Sequence, residues 1–118
     1  MKMTFTEEGA LGVLRVQEAR IDASVAIQFK DRFRELTEQA EGAVVLDLSL
    51  VEFLDSSGLG ALVAARKLVG KDRVLALAGL SPPVERVMTL TRMSSVFPIY
   101  PDIDSALAHL APQAPVTP

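Results

Sequence analysis

The sequence predicts an α/β domain built on a parallel crossover, and three observations point to it. Ala43-Val44-Val45-Leu46-Asp47-Leu48 and Arg73-Val74-Leu75-Ala76-Leu77-Ala78 are short apolar runs of the kind that form covered strands. Between them a helical pattern runs from about Ser57 to Val69 and stops at Gly70. From Ser24 to Ala40, Ala26, Phe29, Phe33, Leu36 and Ala40 recur at helical spacing, opposite Lys30, Asp31, Arg34, Glu35 and Glu38. Two buried strands with a helix between them imply a parallel unit of right-handed connection.

The remaining elements follow in chain order. Phe5 and Leu11-Gly12-Val13-Leu14-Arg15-Val16, separated by Glu8-Gly9, read as two strands joined by a turn. Asp22 is a candidate cap for the first helix. Ser49 to Asp55 is a connecting stretch that nevertheless carries Leu50, Val51, Phe53 and Leu54. Ser81-Pro82-Pro83 starts a helix with serine as cap and proline in the first turn, ahead of Val84, Val87, Met88 and Thr91. A short edge strand is expected at Val96 to Ile99, where Pro98 is tolerated only at an edge or an end. Asp102 caps a last helix with Ile103, Ala106, Leu107 and Leu110 in register. One domain, 1–111, is expected, followed by a flexible tail, 112–118, rich in proline.

Composition narrows the chemistry. With 118 residues, 49% of them apolar and 23% charged, the chain is expected to bury one core. It has no cysteine, so it offers neither a disulfide, a thiolate nucleophile nor a sulfur-ligated zinc site. A net charge of −3 with scattered basic residues points away from nucleic acid. No apolar run reaches the ~18 residues that suggest a membrane span, and the cytoplasm is the expected location. No metal, cofactor or membrane insertion is expected. The single histidine, His109, and a local sequence unlike the Gly-x-Ser-x-Gly elbow argue against a serine hydrolase using Ser56 or Ser57.

The informative stretch leads from Val45 through Asp55-Ser56-Ser57-Gly58-Leu59-Gly60, where a buried strand gives way to the first turn of a helix. Unpaired N–H groups and the positive end of the helix dipole favour an anion there. On local grounds Ser56 is either a helix cap beside Asp55 or a site that accepts a phosphate. Asp47-Leu48-Ser49, Val51, Phe53 and Asp55-Ser56-Ser57-Gly58-Leu59-Gly60 resemble the signature of the STAS family, whose small members are anti-sigma factor antagonists. The corner Ala19-Arg20-Ile21-Asp22 is similar to the family's Gly-x-Leu-Asp corner, departing from it at Ala19. Ser81-Pro82 with Val84, Arg86 and Val87 resembles its third helix, and the likeness covers roughly Met3 to Ala111.

The resemblance implies a mixed, mostly parallel sheet of four to five strands with about four helices, packed mainly as one layer on one face. It also implies a partner switch. The unphosphorylated chain binds a serine kinase of GHKL type that doubles as an anti-sigma factor, phosphorylation on Ser56 breaks that complex, and a PP2C-type phosphatase restores it. Asp22, Asp55, Ser57, Gly58, Gly60, Ala61 and Ala64 are then partner-binding residues on a chain that is a monomer when free. The alternative within the same fold is a non-switching subunit that steadies the ATPase of a lipid transporter.

Within the second helix, Leu59, Leu62 and Val63 are expected to face the sheet, and Gly60, Ala61, Ala64, Lys67 and Leu68 to face outward. Arg66 is expected to lie along the core and snorkel past the sheet edge. Asp22 and Asp55 become neighbours if both corners share one end of the sheet. Asp47 has three open roles: facing solvent, accepting backbone hydrogen bonds, or positioning Ser56. Met88 and Met93 read as packing residues.

Overall fold

A computed structural model describes residues 1–38, 40 and 42–110, so the expected tail lies outside the described residues. The chain opens with an antiparallel pair, β1 (Met3–Glu8) and β2 (Leu11–Val16). They are joined by a turn at Gly9, whose φ of 64° lies in the left-handed region that a glycine enters without strain. Gly12 makes room for a neighbouring side chain. The ring of Phe5 lies across it, and a β-carbon there would sit 2.6 Å from Phe5 Cζ.

Three further strands lie parallel to β2: β4 (Val44–Asp47), β6 (Leu75–Ala78) and β7 (Ile99–Tyr100), giving the order β1-β2-β4-β6-β7. Between them come the helices α1 (Ala26–Thr37), α2 (Ser56–Val69) and α3 (Pro82–Leu90), and α4 (Ile103–Leu110) closes the described chain. Alternation along the strands decides what each helix meets. Leu14, Val16, Val44, Leu46, Leu75 and Leu77 face one way and join Phe29, Phe33, Leu62, Val84 and Met88 of the first three helices in the main core. Leu11, Val45, Ala76 and Ala78 face the other way and meet Ala106 and Leu110 of α4. The expected helical layer is thus α1 to α3, with α4 alone on the far face over a floor of small side chains.

Several boundaries differ from the sequence reading. α1 starts at Ala26, with Val25 at its cap position and no side-chain cap, because Asp22 folds its carboxylate back onto Ser24 instead. Ser81 does stand before α3, but its hydroxyl donates 2.7 Å to the Val51 carbonyl and not to the helix it precedes. The last strand is Ile99–Tyr100, later than the expected Val96 to Ile99. A 3₁₀ turn at Met93–Ser95 follows Arg92, at φ 61°, and turns Phe97 into the core before the chain pairs with β6. Asp102 caps α4 as expected, accepting from Ser105 N at 2.7 Å.

One element was not expected at all. Arg20–Ile21 (β3) and Phe53–Leu54 (β5) pair in parallel as a separate two-stranded ribbon, Arg20 opposite Phe53 and Ile21 opposite Leu54. Ile21, Val51 and Leu54 are buried, so the connecting stretch is part of the core.

Candidate functional site

The ribbon brings two strand-to-helix corners side by side. β3 runs into Asp22 and then α1, β5 runs into Asp55 and then α2, and parallel pairing forces both corners to one end. Asp55 is the cap of α2, with Oδ1 accepting from Gly58 N at 2.8 Å. Its other oxygen, Oδ2, accepts from Ala23 N at 3.2 Å in the neighbouring corner. One carboxylate therefore closes the first turn of α2 and ties down the approach to α1. The two corners share one end, the condition on which Asp22 and Asp55 were expected to be neighbours, and Asp55 bonds the residue next to Asp22.

Asp22 is held by its own corner. Its Oδ1 accepts from Ser24 Oγ at 2.6 Å and Ser24 N at 3.1 Å, and Oδ2 lies 3.2 Å from Arg20 Nε. The Ser24 hydroxyl bond, then the Arg20 bond, hold its carboxyl below the usual aspartate value. The Arg20 guanidinium also lies 4.2 Å from the centre of the Phe53 ring, so cation and ring cover one another across the ribbon. Ala19, in place of the family's glycine, is exposed and accepts from Glu52 N and Phe53 N through its carbonyl.

With the cap role taken by Asp55, Ser56 is the first residue of α2, and both Ser56 and Ser57 are exposed. Among the described residues the Ser56 hydroxyl has no hydrogen-bond partner, so the reading of Ser56 as the cap is corrected by one position. Gly60 is exposed with open space beside it, and Ala64 is half-buried. Gly58 and Ala61 are different. Gly58 is buried where a side chain would collide with the Ile21 carbonyl oxygen, and Ala61 is 2% exposed.

Their expected place on the partner surface is therefore corrected: the inward stripe of α2 is Gly58, Ala61, Leu62, Ala65 and Val69. Leu59 and Val63 sit on its flanks. The cause is that α2 packs on α1 and on the ribbon as well as the sheet, and small residues let it approach closely. The half-buried Arg66 turns its head to the end of its own helix, where Nη1 donates to Gly70 O at 2.8 Å and satisfies a carbonyl there. Asp47 accepts from Ser49 N at 2.9 Å and faces Arg15 Nε at 3.7 Å, so of its open roles the backbone acceptor is the one seen in the fold. His109 lies against Tyr100, ring centres 5.4 Å apart, on the helix that covers the sheet face opposite α2.

Two surface features of this end have no clear signal in the sequence. Leu50 is 57% exposed and Phe53 41%, both on the segment that feeds the Asp55 corner. A large aromatic two residues before a capping aspartate was the available signal, but without the ribbon nothing told its outward face from the inward Leu54. Replacing Asp55 by alanine is expected to cost about 1 to 2 kcal/mol, the upper range for losing a cap, because two amides lose their acceptor. Urea unfolding gives the number, and faster exchange at the Ala23 and Gly58 amides identifies the cause.

A protein-family model described as the STAS domain matches residues 2–106. The chain belongs to the STAS domain family. It is similar to the anti-sigma F factor antagonist of Paenibacillus polymyxa, 35% identical over 68 residues, an alignment that spans 57% of this chain and 58% of that protein. An anti-sigma factor antagonist from Mycobacterium paratuberculosis superposes with a TM-score of 0.83 at 29% identity over 92% of each chain. An anti-sigma-factor antagonist (STAS) domain protein from Planctomyces limnophilus does so with a TM-score of 0.81 at 28% identity, over 92% of this chain and 97% of that one. No helix among the described residues is long and apolar enough to cross a membrane.

Proposed function

We propose that this chain is an anti-sigma factor antagonist whose docking surface is switched by phosphorylation of Ser56. The observation that carries the reading is the exposed, unengaged hydroxyl of Ser56 at the first position of α2, beside a capping aspartate already committed to two amides. A serine in that place is reachable by a kinase, and its modification disturbs no bond that the fold uses. The relatives named as anti-sigma factor antagonists support the same reading.

In its unmodified state the chain binds a serine kinase of GHKL type that acts as an anti-sigma factor, and so frees that protein's client. Ser56, Ser57, Gly60 and Ala64 present the small, uncharged flank of α2 to that partner, with Asp22 beside them. Phosphorylation adds about −1.5 to −2 charges at Ser56. In the free chain water and the helix N-terminus accommodate the new group, the dipole contributing roughly 0.3 to 1 kcal/mol. Against a partner surface shaped for a hydroxyl the same group is desolvated without a matching cation, at a cost of several kcal/mol. A PP2C-type phosphatase resets the chain.

The test is incubation with such a kinase and ATP, followed by mass spectrometry. Native chain is expected to gain one phosphoryl group on Ser56, Ser57→Ala to gain it too, and Ser56→Ala to gain none. Equal incorporation into Ser56→Ala overturns the assignment.

A further inference from the structure

The sheet has two edges, and they are not alike. β7 at one edge is two residues long and flanked by Pro98 and Pro101, which offer no N–H. β1 at the other is six residues long, Met-Thr-Phe-Thr-Glu-Glu, with no proline and in unbroken register with β2. A strand of that kind is a template for another strand.

The hydrogen-bond pattern says which groups it offers. Gln17 N donates to Lys2 O, and Gly12 N donates away from β1 to Ala43 O, just ahead of β4. In an antiparallel ladder a residue's N–H and C=O point to the same side, and successive residues alternate. Lys2, Thr4, Thr6 and Glu8 therefore face β2, opposite Gln17, Arg15, Val13 and Leu11, while Met3, Phe5 and Glu7 point their N–H and C=O outward. Among the described residues nothing pairs with those six groups.

We propose that this edge pairs with the same edge of a second copy of the chain, antiparallel about a two-fold axis at Phe5. That register makes Phe5 face its own counterpart and Met3 face Glu7 of the other copy, and all six outward groups are then satisfied. It is also the register in which charges match. Lys2 comes opposite Glu8 of the other copy, twice, and Thr4 comes opposite Thr6. These four residues share a sheet face with Arg15, which lies 3.2 Å from Glu8, so each Lys2 joins an existing network. Cross-strand pairs of opposite charge favour such pairing.

A parallel stack instead sets Lys2 on Lys2 and Glu8 on Glu8, and the short opposite edge gives no second place to add a strand. The pairing accordingly closes at two copies, as an isologous contact does. An edge-to-edge contact is small, so the pair is weak, with a dissociation constant on the order of 0.1 to 1 mM. It leaves the Ser56 corner, which is built on β3, β5 and α2, free.

Sedimentation of the full chain from about 10 µM to about 2 mM, with amide hydrogen exchange at both ends of that range, tests the proposal. Native chain is expected to shift from mostly one copy toward two, and the Met3, Phe5 and Glu7 amides to slow roughly two- to sixfold at the high concentration. Lys2→Glu is expected to remain single, and Lys2→Glu combined with Glu8→Lys to pair again. Glu7→Pro, which removes an outward N–H and no bond to β2, is expected to remain single while unfolding in urea close to native. One copy throughout with unchanged amides overturns the proposal, and Lys2→Glu pairing as well as native overturns the register.

Discussion

Ser56→Asp should bind the kinase partner at least about a hundredfold more weakly than the native chain, a change of roughly 3 kcal/mol. The side chain at this position is exposed and makes no bond in the folded state, so nothing in the isolated domain opposes the substitution. Urea unfolding of the variant should match native within about 0.5 kcal/mol, the usual range for a surface change, since a carboxylate at the first position of a helix is favoured by the dipole. The loss arises only at the partner. Asp55 cannot swing aside to relieve the repulsion, because both of its oxygens are held by amides. Isothermal titration of native, Ser56→Ala and Ser56→Asp chains separates the effects: alanine should bind close to native and aspartate should not. Aspartate binding as tightly as serine would reject charge as the basis of the switch.

Gly58→Ala should be the most damaging conservative change in the corner, at about 2 to 4 kcal/mol. A methyl group there meets the Ile21 carbonyl oxygen and lies 2.8 Å from Leu54 Cδ1. Ile21 and Leu54 are paired with each other in the ribbon and buried, so neither yields without opening it. Gly60→Ala is the internal comparison. It adds the same atom two residues on, where nothing lies within 4 Å, and an alanine in a helix is favoured over glycine by roughly 0.5 to 1 kcal/mol. Opposite signs for two identical substitutions in one helix, read from urea midpoints, would locate the tight contact; a harmless Gly58→Ala would exclude it.

Much of this was legible in the residue order because it depends on near neighbours. The runs at 44–47 and 75–78, the hairpin around Gly9 and the four helices each carry their own periodicity and punctuation. The corner motif was legible as chemistry, since Asp55, Ser56 and Gly58 are adjacent. What escaped was set by distant contacts. The ribbon joins Arg20 to Phe53, two strands too short to show a period, and neither segment alone says that it is a strand. The phase of α2 differs from the expected one for a related reason: periodicity finds an apolar arc, but Ala61 and Gly58 are inward because α1 and β3 press on that side, and small residues carry little signal. The choice between Asp55 and Ser56 as cap is decided by the bond from Gly58 N to Asp55, and the residue order alone does not show that Asp55 also takes a second donor from Ala23.

The carboxylate shared by Ala23 and Gly58 makes the two loops a single mechanical piece. A partner gripping the Ser56 side would thereby also feel the chain at 22–24, although some thirty residues separate them in sequence. Residues of one loop can in this way set how firmly the other is held, and the footing of Ser56 can drift through changes at the far loop while Ser56 itself stays untouched.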